Sequence, residues 1–241
     1  MDSAYEDIKQ ASRIVVKVGT STLTYDTGKA NIKRIDALAR TLSDLHNLGK
    51  EIILVSSGAI GIAVGKLGLS EKPDDINKRQ ALAAVGQCEL MFLYDKMFSE
   101  YSCTIAQILL TKDDLAIPRR KRNTQNTFNE LLAMGIIPIV NENDTVATDE
   151  VGIGDNDNLS ALVAEFVHAD LLILLSDIDG LYDGDPRNDP EAKVIPVVTD
   201  IPSVRKLANG AGSSRGTGGM ITKLDAAERA TSAGINRRKY T

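Results

Sequence analysis

The 241-residue sequence has few of the residues that build metal centres or disulfide frameworks. It contains two cysteines, Cys88 and Cys103, and two histidines, His46 and His168. Neither pair has the spacing of metal ligands, so the sequence argues against a zinc site. Both cysteines lie in apolar stretches, which predicts buried free thiols in a reducing compartment.

Long apolar runs and an excess of basic charge are also missing. No apolar run approaches the roughly 20 residues that span a bilayer, and the first residues lack the basic-then-apolar pattern of a secretion signal. These absences predict a cytoplasmic protein. The net charge of -5 at pH 7 gives no basic footprint for a nucleic acid. We therefore expect neither a membrane nor a nucleic acid as a partner.

The sequence lacks the motifs of several common enzyme classes. It has no G-x-x-x-x-G-K-[ST] phosphate loop and no G-x-G-x-x-G dinucleotide fingerprint. Its length allows one α/β domain or two smaller ones. Its content of hydrophobic residues (43%) and charged residues (25%) is ordinary for a globular protein.

The densest group of polar side chains lies between residues 136 and 164. This stretch opens with Ile136–Val140, which has the length of a buried strand, and ends in a helical apolar pattern that starts at Leu159. Carboxylates and amides fill the interval, on both sides of a Gly-x-Gly turn at Gly152–Gly154. A solvated acidic loop is the alternative. Open α/β sheets bind ligands at the carboxyl ends of their strands, so we favour a functional site.

Strand and helix patterns alternate along the chain. Apolar strand runs occur at Arg13–Val18, Glu51–Ser56, Cys103–Leu110, Ile136–Val140 and Leu171–Leu175, with helical patterns between them. This order predicts right-handed βαβ units and a mostly parallel sheet. The loops at the carboxyl ends of these strands are therefore the expected place for a site.

Two lysines stand beside segments that can bind an anion. Lys17 interrupts an apolar strand and is followed by Gly19-Thr20-Ser21, where backbone amides can approach a phosphate. Lys223 ends the glycine-rich run Gly210–Lys223, about one turn into a helix whose N-terminus favours anions. The alternatives are a strand-end lysine that reaches water and a flexible loop with a chance lysine. Two such lysines and a carboxylate cluster suit phosphoryl transfer.

Six motifs, taken in order, resemble those of the amino acid kinase family. They are VVKVGTS at Val15–Ser21, VSSGAI at Val55–Ile60, NENDTV at Asn141–Val146, GDNDNLSA at Gly154–Ala161, LLSDIDGLYDGDPR at Leu174–Arg187 and GTGGMITK at Gly216–Lys223. Any one of them alone is a weak signal. Together they cover almost all of the chain, and they are most similar to the glutamate-phosphorylating members of the family, including the kinase domain of a bifunctional synthase.

The resemblance implies a fold and an activity. The fold would be a three-layer α/β/α sandwich around a mostly parallel sheet, built as a single domain over residues 1–241. Many members of the family continue into a C-terminal PUA domain, which we do not expect here. The activity would be ATP-dependent phosphorylation of the γ-carboxylate of L-glutamate, the first step of proline biosynthesis, with Mg²⁺ carried by ATP. The implied partners are glutamate, proline as a feedback inhibitor, and further copies of the chain in a dimer or tetramer.

Carried onto matching positions, the resemblance also implies roles for individual residues. Lys17 and Lys223 would stabilise the transferring phosphoryl group, and Asp157 would organise both lysines. The glutamate-binding residues would be Ser57, Asp144 and Asn156. The nucleotide-binding residues would be Lys17, Ser176, Asp177, Thr217, Gly218, Gly219, Met220 and Lys223. The implied set contains no protein ligand for a metal.

The chain departs from the family pattern at its C-terminus. After Ala233-Gly234-Ile235 the family continues into an apolar strand, whereas this sequence reads Asn236–Thr241 (NRRKYT). The chain is therefore expected to be short there, and to leave a neighbouring strand edge exposed.

Two other functions stay open: a kinase for another carboxylate or carbamate acceptor, and a non-catalytic amino-acid sensor.

Overall fold

The computed structural model describes residues 9–25, 27–147, 155–176, 180–184, 189, 191–198, 200–208 and 220–240. Its strands are β1 (Arg13–Val18), β2 (Glu51–Ser56), β3 (Ile105–Leu110), β4 (Ile137–Glu142), β5 (Leu171–Leu175), β6 (Leu181–Tyr182), β7 (Val194–Ile195) and β8 (Asn236–Tyr240). Its helices are α1 (Thr20–Leu23), α2 (Ile32–Asn47), α3 (Ala59–Leu67), α4 (Ile76–Ser99), α5 (Lys112–Ala116), α6 (Pro118–Ala133), α7 (Asn156–Phe166), α8 (Ile201–Ala208) and α9 (Met220–Ser232).

A six-stranded sheet in the order β3-β4-β2-β1-β5-β8 forms the centre of the fold. Every neighbouring pair in this sheet is parallel, so the carboxyl ends of the strands lie along one edge. Strand β1 lies between β2 and β5, and Lys17 is in register with Val55 on one side and Leu174 on the other. Strands β6 and β7 form a separate antiparallel pair. The predicted mostly parallel α/β sheet is confirmed.

Helices cover both faces of the sheet, which confirms the three-layer arrangement. On one face, Ile14 and Val16 of β1 belong to a core that includes side chains from α2 and α4. On the other face, Val15 belongs to a core that includes side chains from α6, α7 and α9. Successive strand side chains point to opposite faces, so Lys17 shares the face of Val15 and points toward the layer of α7 and α9.

The helix boundaries follow from local capping groups. The Asn31 side chain accepts a hydrogen bond from the Arg34 amide at the start of α2, and Asp75 accepts one from the Lys78 amide at the start of α4. The helix patterns and the five apolar strand runs of the sequence appear as elements close to their predicted bounds. None of the described helices is long and apolar enough to cross a membrane.

The expectation of a missing final strand was wrong. Residues Asn236–Tyr240 pair in parallel with β5, from Leu171 opposite Asn236 to Leu175 opposite Tyr240. Strand pairing uses backbone N–H and C=O groups, so a polar sequence at a sheet edge can still complete a ladder. The edge of β5 is therefore covered.

The predicted burial of Cys88 was also wrong. Cys88 is exposed, although Cys103 is buried. Cys88 falls on the face of α4 opposite to the buried residues Leu82, Leu90 and Leu93, so its apolar sequence neighbours point elsewhere. The basic run at residues 119–122 belongs to the first turns of α6, which starts with Pro118 at its first position.

Candidate active site

Two lysines from opposite ends of the chain meet on one aspartate. Lys17 Nζ lies 2.7 Å from Asp157 Oδ1, and Lys223 Nζ lies 2.9 Å from Asp157 Oδ2. Asp157 is fully buried, and the side chains of Lys17 and Lys223 are 8% and 13% exposed. Each carboxylate oxygen therefore binds one ammonium group, and the aspartate holds both cations at one place.

The fold explains why these three side chains meet. Strand alternation points Lys17 toward α7, and α7 begins just before Asp157 with Asp155 as its N-cap, whose side chain accepts from the Asn158 amide at 2.8 Å. Asp157 therefore lies in the first helical turn, where the helix dipole favours a negative charge. Helix α9 packs against α7 and supplies Lys223.

The electrostatics keep Asp157 ionised. Burial opposes its ionisation, but the ammonium groups of Lys17 and Lys223 outweigh burial and lower the pKa of Asp157 below its ordinary value. Thr222 Oγ1 also donates to Asp157 Oδ2 at 3.1 Å. Lys17, Lys223 and Asp157 together carry one net positive charge, and the buried carboxylate of Asp155 also interacts with Lys17.

A second polar cluster lies at the neighbouring strand ends. Asn156 Nδ2 donates to Ser57 Oγ at 2.7 Å, to the Ser56 carbonyl at 3.0 Å and to Asn141 Oδ1 at 3.2 Å. These residues follow or end β2 and β4 and begin α7, so three elements converge at the carboxyl edge of the sheet. Asn156 is adjacent in sequence to Asp157, which places this cluster next to the lysines.

Asp144 lies two residues beyond the end of β4, in a turn at the same edge. Burial, followed by the charge of Glu142, raises the pKa of Asp144 to about 6, against the opposing charges of Lys72 and Arg79. A cation that binds beside this carboxylate stabilises its ionised form, which burial disfavours. Asp144 is therefore suited to an ammonium group.

Comparisons with known proteins place the chain in a family. The sequence profile of the amino acid kinase family matches residues 12–237. The chain belongs to the amino acid kinase family. It is 58% identical over 234 residues to the glutamate 5-kinase of Clostridium perfringens, covering 95% of this chain and 87% of that protein. The glutamate 5-kinase of Clostridium tetani is 57% identical, with 95% and 86% covered.

The chain is also similar to a longer relative and to two solved structures. The glutamate 5-kinase of Moorella thermoacetica is 52% identical, and the match spans 95% of this chain but 61% of that protein. Carbamate kinase from Giardia lamblia bound to AMP-PNP superposes with a TM-score of 0.67 at 15% identity, covering 96% of this chain and 93% of that one. UMP kinase from Bacillus anthracis gives 0.65 at 14% identity, covering 96% and 87%. These two structures show a shared amino acid kinase fold.

The structure brings some of the predicted site residues together and leaves others undescribed. Lys17, Asp157 and Lys223 are in contact, and so are Ser57 and Asn156. Ser176 directly follows β5, beside the end of β1. Met220 begins α9 and packs against a small apolar cluster of Leu181, Val204 and Leu224. The predicted nucleotide-binding residues Asp177, Thr217, Gly218 and Gly219 lie outside the described residues.

Sequence reasoning missed two parts of this cluster. The sequence places Asn141 among many polar residues without a role of its own. In the structure its side chain is paired with that of Gln87 in the interior, and Asn141 Nδ2 donates to Gln87 Oε1 at 2.9 Å. The sequence patterns gave Gln87 no role. The signal was available, because a glutamine on the buried face of a helix requires a partner.

Proposed function

We propose that this chain transfers the γ-phosphoryl group of MgATP to the γ-carboxylate of L-glutamate, giving ADP and L-glutamyl 5-phosphate in the first step of proline biosynthesis. The observation that carries the proposal is the contact of Lys17 and Lys223 with the buried Asp157, directly beside the Ser57–Asn156 pair. The identity of 57–58% to two clostridial glutamate 5-kinases supports the choice of glutamate.

The acceptor needs no general base. The γ-carboxylate of glutamate has an ordinary pKa of about 4.3, so it is an anionic nucleophile at neutral pH. One of its oxygens forms a bond to the γ-phosphorus while the bond from phosphorus to the β,γ-bridging oxygen breaks, and ADP leaves with the electron pair. Catalysis then consists of alignment and of charge stabilisation on the transferring group.

The two lysines supply that charge stabilisation. Lys17 and Lys223 donate to oxygens of the phosphoryl group as charge develops on them, and they are held in place before the reaction starts. Asp157 is a positioning residue, since its two oxygens are taken by the lysines and its pKa is lowered. It therefore holds the two cations and does not accept the proton of a nucleophile.

The nucleotide lies across the carboxyl ends of β1 and β5 in this proposal. Ser176 and Asp177 contact the adenosine part, and Thr217, Gly218, Gly219 and Met220 contact the phosphates near Lys223. The start of α9 at Met220 supports a phosphate there, because a helix N-terminus presents backbone donors and a favourable dipole. Mg²⁺ arrives on the ATP oxygens and serves as part of that substrate.

Glutamate lies on the side of β2 and β4. Asp144 binds its ammonium group, and Ser57 and Asn156 hold its carboxylate end beside the lysines. An N-acylated acceptor would place a neutral amide against Asp144 and would not compensate the burial of that carboxylate. This contact is the reason to prefer glutamate over N-acetylglutamate.

The affinity for glutamate should depend on pH through Asp144. The pKa of Asp144 is raised to about 6, so the carboxylate is ionised at pH 8 and becomes protonated as the pH falls through 6. Protonation removes the partner of the ammonium group, so kcat/KM for glutamate should fall about tenfold between pH 7 and pH 5. The measurement is a pH profile of kcat/KM. Asp144→Asn should have a low and flat profile over this range, and a flat wild-type profile would contradict the assignment.

A comparison of acceptors tests the function directly. ADP release should be robust with L-glutamate and MgATP, and weak with N-acetylglutamate or carbamate at equal concentrations. Turnover of N-acetylglutamate without turnover of glutamate would transfer the proposal to another acceptor. Calorimetric binding of glutamate without any ADP release would instead identify an amino-acid sensor.

The remaining partners follow from the same proposal. Residues 1–241 act as one kinase domain in the cytoplasm, self-associate as a dimer or tetramer, and are inhibited by proline. The continuous six-stranded sheet and the family match over residues 12–237 support the single domain. Light scattering of the purified chain, with and without proline, measures the assembly, and the ADP assay measures the inhibition.

A further inference from the structure

Helix α4 carries two glutamines that contact the segment bearing Asp144. Gln80 Nε2 donates to the Ala147 carbonyl at 3.1 Å, and Gln87 Oε1 accepts from Asn141 Nδ2 at 2.9 Å. The two glutamines are seven residues apart, which is two helical turns or about 10.5 Å along the axis, on one face of the helix. Their contacts fall at the two ends of residues 141–147.

The segment between these contacts forms one compact turn. The amides of Val146 and Ala147 both donate to the Asn143 carbonyl, at 3.1 and 3.0 Å, and the Asn143 amide donates to the Leu110 carbonyl at 2.8 Å. Asp144 lies inside this turn, so its position depends on where the turn is held. Leu110 fixes the turn to β3, and Gln80 fixes its far end to α4.

The same helix lies against the other glutamate-binding segment. A Cβ atom added at Gly86 would lie 1.7 Å from the Ala59 carbonyl oxygen, so α4 approaches the Ser57–Ala59 turn as closely as a glycine allows. About two helical turns further along α4, the Tyr94 hydroxyl lies 2.8 Å from Ser56 Oγ. Helix α4 therefore sets the distance between the Ser57 turn and the Asp144 turn.

Gln87 also reaches the Asn156 amide through Asn141. Asn141 Oδ1 accepts from Asn156 Nδ2 at 3.2 Å while Asn141 Nδ2 donates to Gln87. Gln87 is 8% exposed, and its Nε2 has no hydrogen-bond partner among the described residues. An unpaired buried donor lowers stability, so packing alone gives no reason for an amide at this position. The amide of Gln87 is explained instead by its contact with Asn141, because Gln87 orients the Asn141 amide and Asn141 in turn orients the Asn156 amide.

We propose that Gln80 and Gln87 are positioning residues for glutamate, which together hold the Asp144 turn and the Asn156 amide at a fixed distance from the Ser57 turn. The proposal rests on the proposed function for the identity of the bound acceptor. Neither glutamine touches the nucleotide side of the site, which lies at β1, β5 and α9. Loss of either glutamine therefore affects the binding of glutamate and leaves the binding of MgATP intact.

The test uses Gln80→Met and Gln87→Met, which keep the length of the side chain and remove its hydrogen bond. Each should raise KM for glutamate by about 3- to 10-fold, the equivalent of one lost hydrogen bond. KM for MgATP should stay within about twofold, since no contact on that side is lost. Gln87→Met should also keep the wild-type melting temperature. The variant leaves Asn141 Nδ2 without its acceptor, but it also removes the buried Gln87 Nε2, which has no partner among the described residues.

Gln125→Met is the matched control. Gln125 Nε2 donates to the Phe166 carbonyl at 3.3 Å, so this variant removes the same kind of bond between α6 and the C-terminal end of α7, the end opposite to Asn156. It should leave both KM values unchanged. An equal rise in KM for glutamate in the control, a joint rise of both KM values, or no rise in either test variant would overturn the proposal.

A measurement without substrate separates this proposal from the proposed function. Hydrogen exchange of peptides covering residues 141–147 should be faster in Gln80→Met than in the wild type and in Gln125→Met. If the wild type does not phosphorylate glutamate and exchange still accelerates, the positioning role is supported and glutamate is the wrong acceptor. If the wild type phosphorylates glutamate and exchange is unchanged, the positioning role fails alone.

Discussion

Lys223→Ala should lower kcat by about 100- to 1,000-fold, the effect expected when one preorganised donor to a transition-state charge is removed. KM for glutamate should change by less than about threefold, because the lysine meets charge that develops only in the transition state. Lys223 is 13% exposed and is held by Asp157, so it is ordered before substrates bind. Steady-state kinetics with glutamate and MgATP varied in turn measure both quantities.

An exposed lysine in an ion pair provides the control for this variant. Lys66 pairs with Glu89, and its side chain is 51% exposed. Lys66→Ala removes the same charge from the protein but lies outside the proposed site, so its kcat should match the wild type. Equal losses in kcat and in glutamate affinity for Lys223→Ala would mean that the lysine binds the ground state, and its assignment to the transferring phosphoryl group would be wrong.

The fold could be predicted because its signals are local and repetitive. Strand β5, for example, reads LLILL and is bounded by turn residues, and its position in the structure is the predicted one. The face of Lys17 also follows from strand alternation once Val15 is known to be in the core. What alternation cannot give is the partner of Lys17, since Asp157 is brought to it by a helix 140 residues later in the chain.

The polar contacts behind the site could not be predicted in the same way. Gln87 meets Asn141 across 54 residues of sequence, and Gln80 meets Ala147 across 67. These bonds depend on the angle at which α4 lies against β4, which no periodicity encodes. The final strand was missed for a related reason, because backbone pairing with β5 does not require the apolar side chains that mark a buried strand.

Asp157→Asn should have two large effects, one on activity and one on stability. It removes the anion that holds Lys17 and Lys223 together, and misplacement of catalytic groups by about 1 Å costs about 100-fold in rate, so we expect kcat to fall at least that far. It also removes the carboxylate that two largely buried ammonium groups share. Breaking a buried ion pair by removing one partner costs about 3–5 kcal/mol in the free energy of unfolding.

The stability effect should depend on pH with a definite sign. Because the pKa of Asp157 is lowered in the folded state, its ionised form stabilises the protein above the ordinary aspartate pKa of about 3.9, and this contribution is lost as the pH falls through the lower folded value. The difference in unfolding free energy between wild type and Asp157→Asn should therefore be constant near neutral pH and shrink in acid. Urea unfolding at a series of pH values measures it.

A double variant separates the two effects of Asp157. Adding Lys17→Met to Asp157→Asn removes one of the two ammonium groups that have lost their shared carboxylate, so part of the lost unfolding free energy should return, as a coupling between neighbouring sites. The activity should not return, because one of the two phosphoryl-binding cations is gone. A double variant no more stable than Asp157→Asn would show that the contact between Lys17 and Asp157 contributes little to folding. Near wild-type kcat in Asp157→Asn would show that the lysines do not need the aspartate to reach the phosphoryl group.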